Sequence, residues 1–150
     1  MSEKTKQVSS LLLPMHEKPL VVPNVSVAEI IPFRSPESLQ EAPGWHLGSI
    51  EWRNTKVSVI SFDLANEKTE KDNVSAARIA IFNDVLKQEG MKFFAVVIQG
   101  IPRLLKVNDD EITEEEVDKG PLELMHVKVM GEHAIIPNVA KIQQLMLSCG

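Results

Sequence analysis

A chain of 150 residues with a formal net charge of −5, 43% hydrophobic and 25% charged, has the make-up of an ordinary globular protein of one domain or two small lobes sharing a core. The negative balance argues against a general nucleic-acid binder, which carries a basic face. One cysteine, Cys149, excludes a disulfide framework within the chain, and no apolar run approaches the ~20 residues of a membrane helix, so the expectation is a soluble, cytoplasmic protein without membrane insertion.

Along the chain, residues 1–10 read as a flexible lead-in and 11–148 as a single domain. Two apolar runs, 11–15 and 19–22, flank His16-Glu17-Lys18 and suggest a hairpin whose prolines suit edge positions. Asn24 or Ser26 can cap a short helical turn running to Ile30, which Pro32 stops. Residues 34–44 are loop, punctuated by Pro36, Pro43 and Gly44. Residues 45–52 and 56–64 read as strands around a turn at Asn54-Thr55, because asparagine tolerates the positive φ of tight hairpins. In the second strand Ser58, Ile60, Phe62 and Leu64 share one face; Val57, Val59, Ser61 and Asp63 share the other.

Residues 65–75 form a charged loop. Residues 76–82 and 93–99 read as strands around a turn region containing Gly90, and 101–107 as another strand. The acidic stretch 109–118 reads as one short helix, with Asp109 and Asp110 at its dipole-favoured start and Gly120-Pro121 beyond its end. Residues 122–129 and 133–136 pair as a hairpin around Met130-Gly131-Glu132. Asn138 caps a terminal helix, 139–147, with the apolar stripe Val139, Ile142, Leu145 and Met146. About nine short strands at roughly 8–12-residue spacing describe a mainly β barrel or sandwich, and the missing βα alternation excludes a doubly wound sheet.

Phosphate-cradle, nucleophile-elbow and HExxH motifs are missing from the sequence. His126 and His133 flank one hairpin turn, and Glu123 or Glu132 completes a metal set only on paper; the plainer reading is two surface histidines. Cys149 sits where chains fray, a poor place for a nucleophile. The acidic stretch lacks the glycine and spacing of a calcium loop and reads as a solvated helix face. With no catalytic constellation and no cofactor or metal set, the weight falls on a binding or scaffolding role. Attention then goes to "GSIEWRNTKVSVISF", residues 48–62, where Arg53 sits at a hairpin tip. It is either tied to a neighbour such as Glu51 or available to a partner. Trp45 and Trp52 are equally readable as core or as interface anchors.

The stretch "VAEIIPFRSPESLQEAPGWHLGSIEWRNTKVSVISF" resembles the first half of a CheW-like domain, the coupling-protein family of bacterial chemosensory arrays. Val27, Glu29 and Ile30 match the family's Val-x-Glu-Ile opening, Pro43 the proline before the first hairpin, and Gly48 and Arg53 fall at the expected spacing. Val57, Val59 and Ile60 match the next strand. "KFFAVVIQGIPRLLKVNDDEI" and "LMHVKVMGEHAIIPNVAKI" resemble the second half, so that the likeness covers about residues 11–148. Where the family has leucine, glycine, proline and aspartate, this chain has Trp52, Asn54, Ser58 and Ser61. "LLLPMHEKPLVVPNVSVAEI" is more similar to the divergent ChpC-type members of type IV pilus (twitching motility) systems.

The resemblance implies two SH3-like five-stranded β-barrel lobes packed side by side, with a short C-terminal helix and a groove between the lobes. It implies a non-enzymatic adaptor or scaffold in chemosensory signal transduction, coupling a chemoreceptor signalling tip to the regulatory domain of a CheA-type histidine kinase, in the cytoplasm beside membrane-bound receptor arrays. The alternative is an array component or regulator that binds receptor without engaging the kinase. Protein-interaction positions carried over by the match are Val27, Gly48 and Arg53, with Trp52 and Asn54 beside them. A planar, permanently charged guanidinium suits a glutamate-rich receptor tip.

Overall fold

Alternation of β-branched with small or polar residues commits most of the chain to short strands. The computed structural model describes residues 7–38, 44–66, 77–84 and 92–149. The strands are β1 (Gln7–Leu13), β2 (Leu20–Pro23), β3 (Val27–Pro32), β4 (His46–Trp52), β5 (Thr55–Ile60), β6 (Arg78–Asn83), β7 (Phe93–Ile98), β8 (Arg103–Asn108), β9 (Ile112–Glu115), β10 (Glu123–Val129) and β11 (Glu132–Pro137). Two helices accompany them, the single turn α1 (Phe62–Ala65) and the terminal α2 (Val139–Cys149). The expected loops over 65–75 and 84–92, the Pro43 end of the loop over 34–44, and residues 1–6 of the lead-in lie largely or wholly outside the described residues.

The strands form two sheets. One has six strands in the order β8-β1-β2-β11-β10-β9, the other five in the order β3-β6-β7-β5-β4. Each is antiparallel except at one junction, β2 with β11 and β5 with β7. Burial follows in three layers. Leu13, Leu20 and Val22 of the six-stranded sheet meet Phe82, Phe94 and Ile98 of the five-stranded one in a shared interlobe core, which Ile142 and Met146 of α2 close. A second cluster around Val57, Ile79 and Val97 fills the five-stranded lobe, and a third around Val107, Val127 and Ala134 fills the other. Phe82 and Phe94 stack at the centre of the shared core, 5.3 Å between centroids. Truncating either ring to alanine removes about 3–5 kcal/mol.

The mainly β, two-lobed architecture with a short C-terminal helix agrees with the reading from sequence, and Asn138 does cap α2, its Oδ1 accepting from the Lys141 amide at 3.1 Å. Four elements differ. Residues 109–118 are not a helix: a 3-10 turn at Asp109–Glu111 leads into β9, which pairs with β10 from Ile112↔Val129 to Glu115↔His126. Main-chain pairing along β-branched Ile112 and Thr113 overrides the acidic composition, and it gives that sheet a sixth strand. The helical turn near Asn24 stops at Ser26, and Val27, Ile30 and Ile31 continue as β3. The strand expected over 56–64 ends at Ile60. Ser61 breaks it, its Oγ accepting from the Leu64 amide at 3.3 Å to cap α1. The first strand starts at Gln7 rather than at Leu11.

Candidate functional site

The β4–β5 pairing closes at Trp52↔Thr55, leaving Arg53 and Asn54 as a two-residue loop. Both lie in the left-handed region, at φ 49° and 61°, as a type I′ turn requires. Asparagine accepts that conformation readily. Arginine does so at a cost of roughly 1–2 kcal/mol, which the surroundings must offset. Two contacts do so. The Arg53 Nη2 donates to Glu29 Oε1 at 3.1 Å, and the guanidinium carbon lies 4.6 Å from the centroid of the Trp52 ring. The same Glu29 oxygen accepts from Trp52 Nε1 at 3.0 Å.

Glu29 stands on β3 and Trp52 ends β4, the two edge strands of the five-stranded sheet. One carboxylate oxygen thus ties the two edges together and presents the arginine. The Arg53 side chain stays 69% exposed, so its remaining N–H groups face solvent. Its partner is not Glu51; the main-chain oxygen of Glu51 instead accepts from Arg34 at 2.9 Å. Arg53, Asn54 and Glu29 therefore share one tip. A shallow hollow of about 350 Å3 lies beside it, lined by Glu37, Ser49, Ile50, Glu51, Asn54 and Lys56.

The other positions divide differently. Trp52 is buried, its ring packed edge-on against Phe93 at 4.9 Å. It acts on the tip from below. Trp45 is half-buried against the interlobe core. Gly48 occupies a bulge in β4 at φ +128°, and a Cβ there would sit 2.1 Å from the Glu37 carbonyl oxygen. The segment covering β4, bridged to it at Glu37↔Ser49, leaves no room for a side chain. Val27 opens β3 and packs, half-buried, on the interlobe core. The residue that sequence reasoning did not single out as a site residue is Glu29. It matched the family's opening motif, but nothing local disclosed that its acceptor oxygen serves two residues more than twenty positions away.

Ser61, in place of the family's aspartate, is buried under α1 and performs a capping role open to either residue. Ser58 is half-buried inside β5 between β4 and β7. Neither lies on the tip surface.

His126 and His133 do not pair with each other. His133 is exposed and bonds Glu115 at 2.8 Å; that contact, chiefly, holds the Glu115 carboxyl below its ordinary range. His126 is buried, which corrects its reading as a surface residue, and bonds Glu123 at 2.5 Å. Glu132 goes to Arg103 at 2.6 Å. Among the described residues no cluster of three His, Cys, Asp or Glu side chains could hold a metal, and no helix is long and apolar enough to cross a membrane.

Set against known proteins, the family model described as "CheW-like domain" matches residues 9–145. No curated protein matches the chain. Among solved structures, the scaffolding protein TtCheW from Thermoanaerobacter tengcongensis superposes with a TM-score of 0.74 at 16% identity, over 88% of this chain and 89% of that one.

Proposed function

The chain belongs to the CheW-like domain family, and from that premise we propose that it is a non-enzymatic adaptor of a bacterial chemosensory pathway, coupling a chemoreceptor signalling tip to a CheA-type histidine kinase. The observation that carries this reading is the construction of the Arg53 tip. An arginine sits in a disfavoured backbone conformation, braced from below by a buried tryptophan and from the side by Glu29, with most of its fork left exposed. Strain retained at an exposed turn is expected where a side chain must be presented. A fixed guanidinium matches carboxylate-rich partners. Val27, Gly48, Trp52 and Asn54 serve this reading unequally: Asn54 as a contact at the tip, Val27 at the lobe junction, and Trp52 and Gly48 as residues that shape β4 beneath it.

The likeness of the N-terminal stretch to ChpC-type proteins supports a role in a system controlling type IV pilus twitching motility, at the cytoplasmic face of receptor arrays. The decisive experiment titrates the full chain against a chemoreceptor tip and against the kinase regulatory domain, with Arg53→Glu alongside and circular dichroism as the folding control. Binding of both partners by the wild type, with receptor affinity weakened at least about tenfold in Arg53→Glu, supports the adaptor, tenfold being about 1.4 kcal/mol. Binding of neither partner by a folded wild type overturns it.

A second reading, a receptor-binding array component that does not engage the kinase, is favoured by one exposed departure from the family pattern, Asn54 at the tip. Ser58 and Ser61 lend it little, being inside the lobe. Binding of receptor alone by the wild type selects this reading.

A further inference from the structure

Away from the Arg53 tip, a cleft of about 210 Å3 opens where the lobes meet, lined by Met15, Lys18, Phe62, Asn66, Val117 and His126 among others. Beneath it runs a chain of buried polar contacts. Asn66, just after α1, donates to Glu123 Oε2 at 2.5 Å and accepts from the Leu122 amide at 2.8 Å. Glu123 Oε1 accepts from the Gly120 amide at 2.8 Å and meets His126 Nε2 at 2.5 Å. On the other side of the ring, His126 Nδ1 lies 3.1 Å from Lys18 Nζ. Only 6% of the His126 side chain and 3% of the Glu123 side chain is exposed.

This geometry fixes the imidazole. A lysine ammonium has three donors and no acceptor, so His126 Nδ1 must carry the lone pair. The ring proton therefore sits on Nε2 and is donated to Glu123. We propose that His126 is a proton-gated pin: neutral, it holds Lys18 against the interlobe cleft; protonated at Nδ1, it releases Lys18 and opens that cleft.

A proton taken from solvent onto Nδ1 removes the acceptor that Lys18 uses and sets two cations against each other. The Nε2–H···Glu123 bond survives and becomes an ion pair, so the Asn66–Glu123 clasp between the lobes stays shut. Motion is confined to the β1–β2 turn, whose ends are pinned. The Pro14 oxygen accepts from the Gln99 amide, and the Pro19 oxygen from the Ile135 amide. The charged groups around His126 favour release. Lys18 comes from that turn, Glu115 lies opposite on β9, Glu123 lies on its own strand and Asp63 comes from α1, with Glu17 and Asp118 on the cleft wall. A freed Lys18 has carboxylates at Glu17, Asp118 and Glu115 to move towards.

The test is nitrogen-15 NMR on the full chain, in a His16→Gln background so that the turn contains no second imidazole. At pH 8 the His126 Nε2 should resonate as protonated and Nδ1 as unprotonated. As pH is lowered, the Glu17 and Lys18 amides should move together with the His126 ring-nitrogen shifts. Their hydrogen exchange, corrected for intrinsic rates, should quicken about tenfold as the turn opens locally. Lys18→Met should abolish the amide response while the His126 ring-nitrogen shifts still change. A proton on Nδ1 at pH 8 overturns the proposal. So do turn amides that ignore His126, or a response that persists in Lys18→Met.

Discussion

Arg53 and Glu29, 24 residues apart in sequence, meet at 3.1 Å between the tip of one edge strand and the middle of the other. Because Glu29 also accepts from the Trp52 indole, the carboxylate is an acceptor for one buried donor and one exposed one. Glu29→Gln keeps an oxygen for the indole but removes the charge that Arg53 uses. An exposed ion pair contributes about 0–1 kcal/mol, so urea unfolding should shift by no more than that. Glu29→Ala also strands the indole N–H in a largely buried site, and the loss should rise to about 1–3 kcal/mol. Equal losses in the two variants would mean that Trp52 does not depend on Glu29.

Gly48 carries a second prediction. Alanine there must place its Cβ 2.1 Å from the Glu37 oxygen, and it must adopt φ +128°. The segment bridged at Glu37↔Ser49 has to lift off β4. Destabilisation above about 2 kcal/mol is expected, the size reserved for backbone strain and displaced main chain. A Gly48→Ala protein that binds receptor poorly but unfolds like wild type would instead make the glycine a site of close partner approach.

The strands that could be read directly are those whose apolar residues are matched by burial. In β5, Val57, Val59 and Ile60 are buried, and in β7 so are Phe94 to Ile98. The elements that could not be read were decided by pairing or capping. β9 has an acidic composition that suits a helix start, but its main chain completes the edge of β10. α1 continues an alternating pattern that Ser61 interrupts with a hydroxyl cap. Arg53 stood out because an arginine at a hairpin tip is conspicuous and the family motif shares it. Its brace was hidden, because a bond between Glu29 and Trp52 spans 23 positions and depends on which strands become sheet edges. The Asn66–Glu123 contact spans 57 positions and has no local signature at all.

That contact supports a third prediction. Asn66→Ala leaves the Leu122 amide without its acceptor and Glu123 Oε2 without its donor, both buried. A loss of about 2–3 kcal/mol follows. Burial by itself would raise the Glu123 carboxyl, but the Gly120 amide, His126 and Asn66 together hold it below its ordinary value. A depressed carboxyl stabilises the fold above its unfolded value, and that contribution disappears as pH falls through the folded value. Wild type should therefore lose stability below about pH 4.5 more steeply than Glu123→Gln. Parallel acid limbs in the two proteins would show that Glu123 ionisation does not contribute to folding.

His46 gives the last prediction, at milder acidity. It opens β4, is 7% exposed, and its Nδ1 has no hydrogen-bond partner among the described residues. Its neighbour in space is the Trp45 ring, at 6.0 Å between centroids. Burial disfavours the imidazolium and pulls the His46 value down, against a smaller opposing main-chain hydrogen bond. The unfolded chain takes up a proton as pH drops through about 6.5, while the folded protein does not until lower pH. The unfolded state then binds more protons, so stability must fall across that interval. His46→Leu removes both the titration and the unsatisfied nitrogen at similar volume. Its melting temperature should match or exceed wild type at pH 7.5 and decline less on going to pH 5.5. Other histidines contribute equally to both proteins, so the difference between the two curves isolates His46. Curves that fall in parallel would mean that His46 is charged as readily in the fold as out of it, and that the start of β4 opens to water.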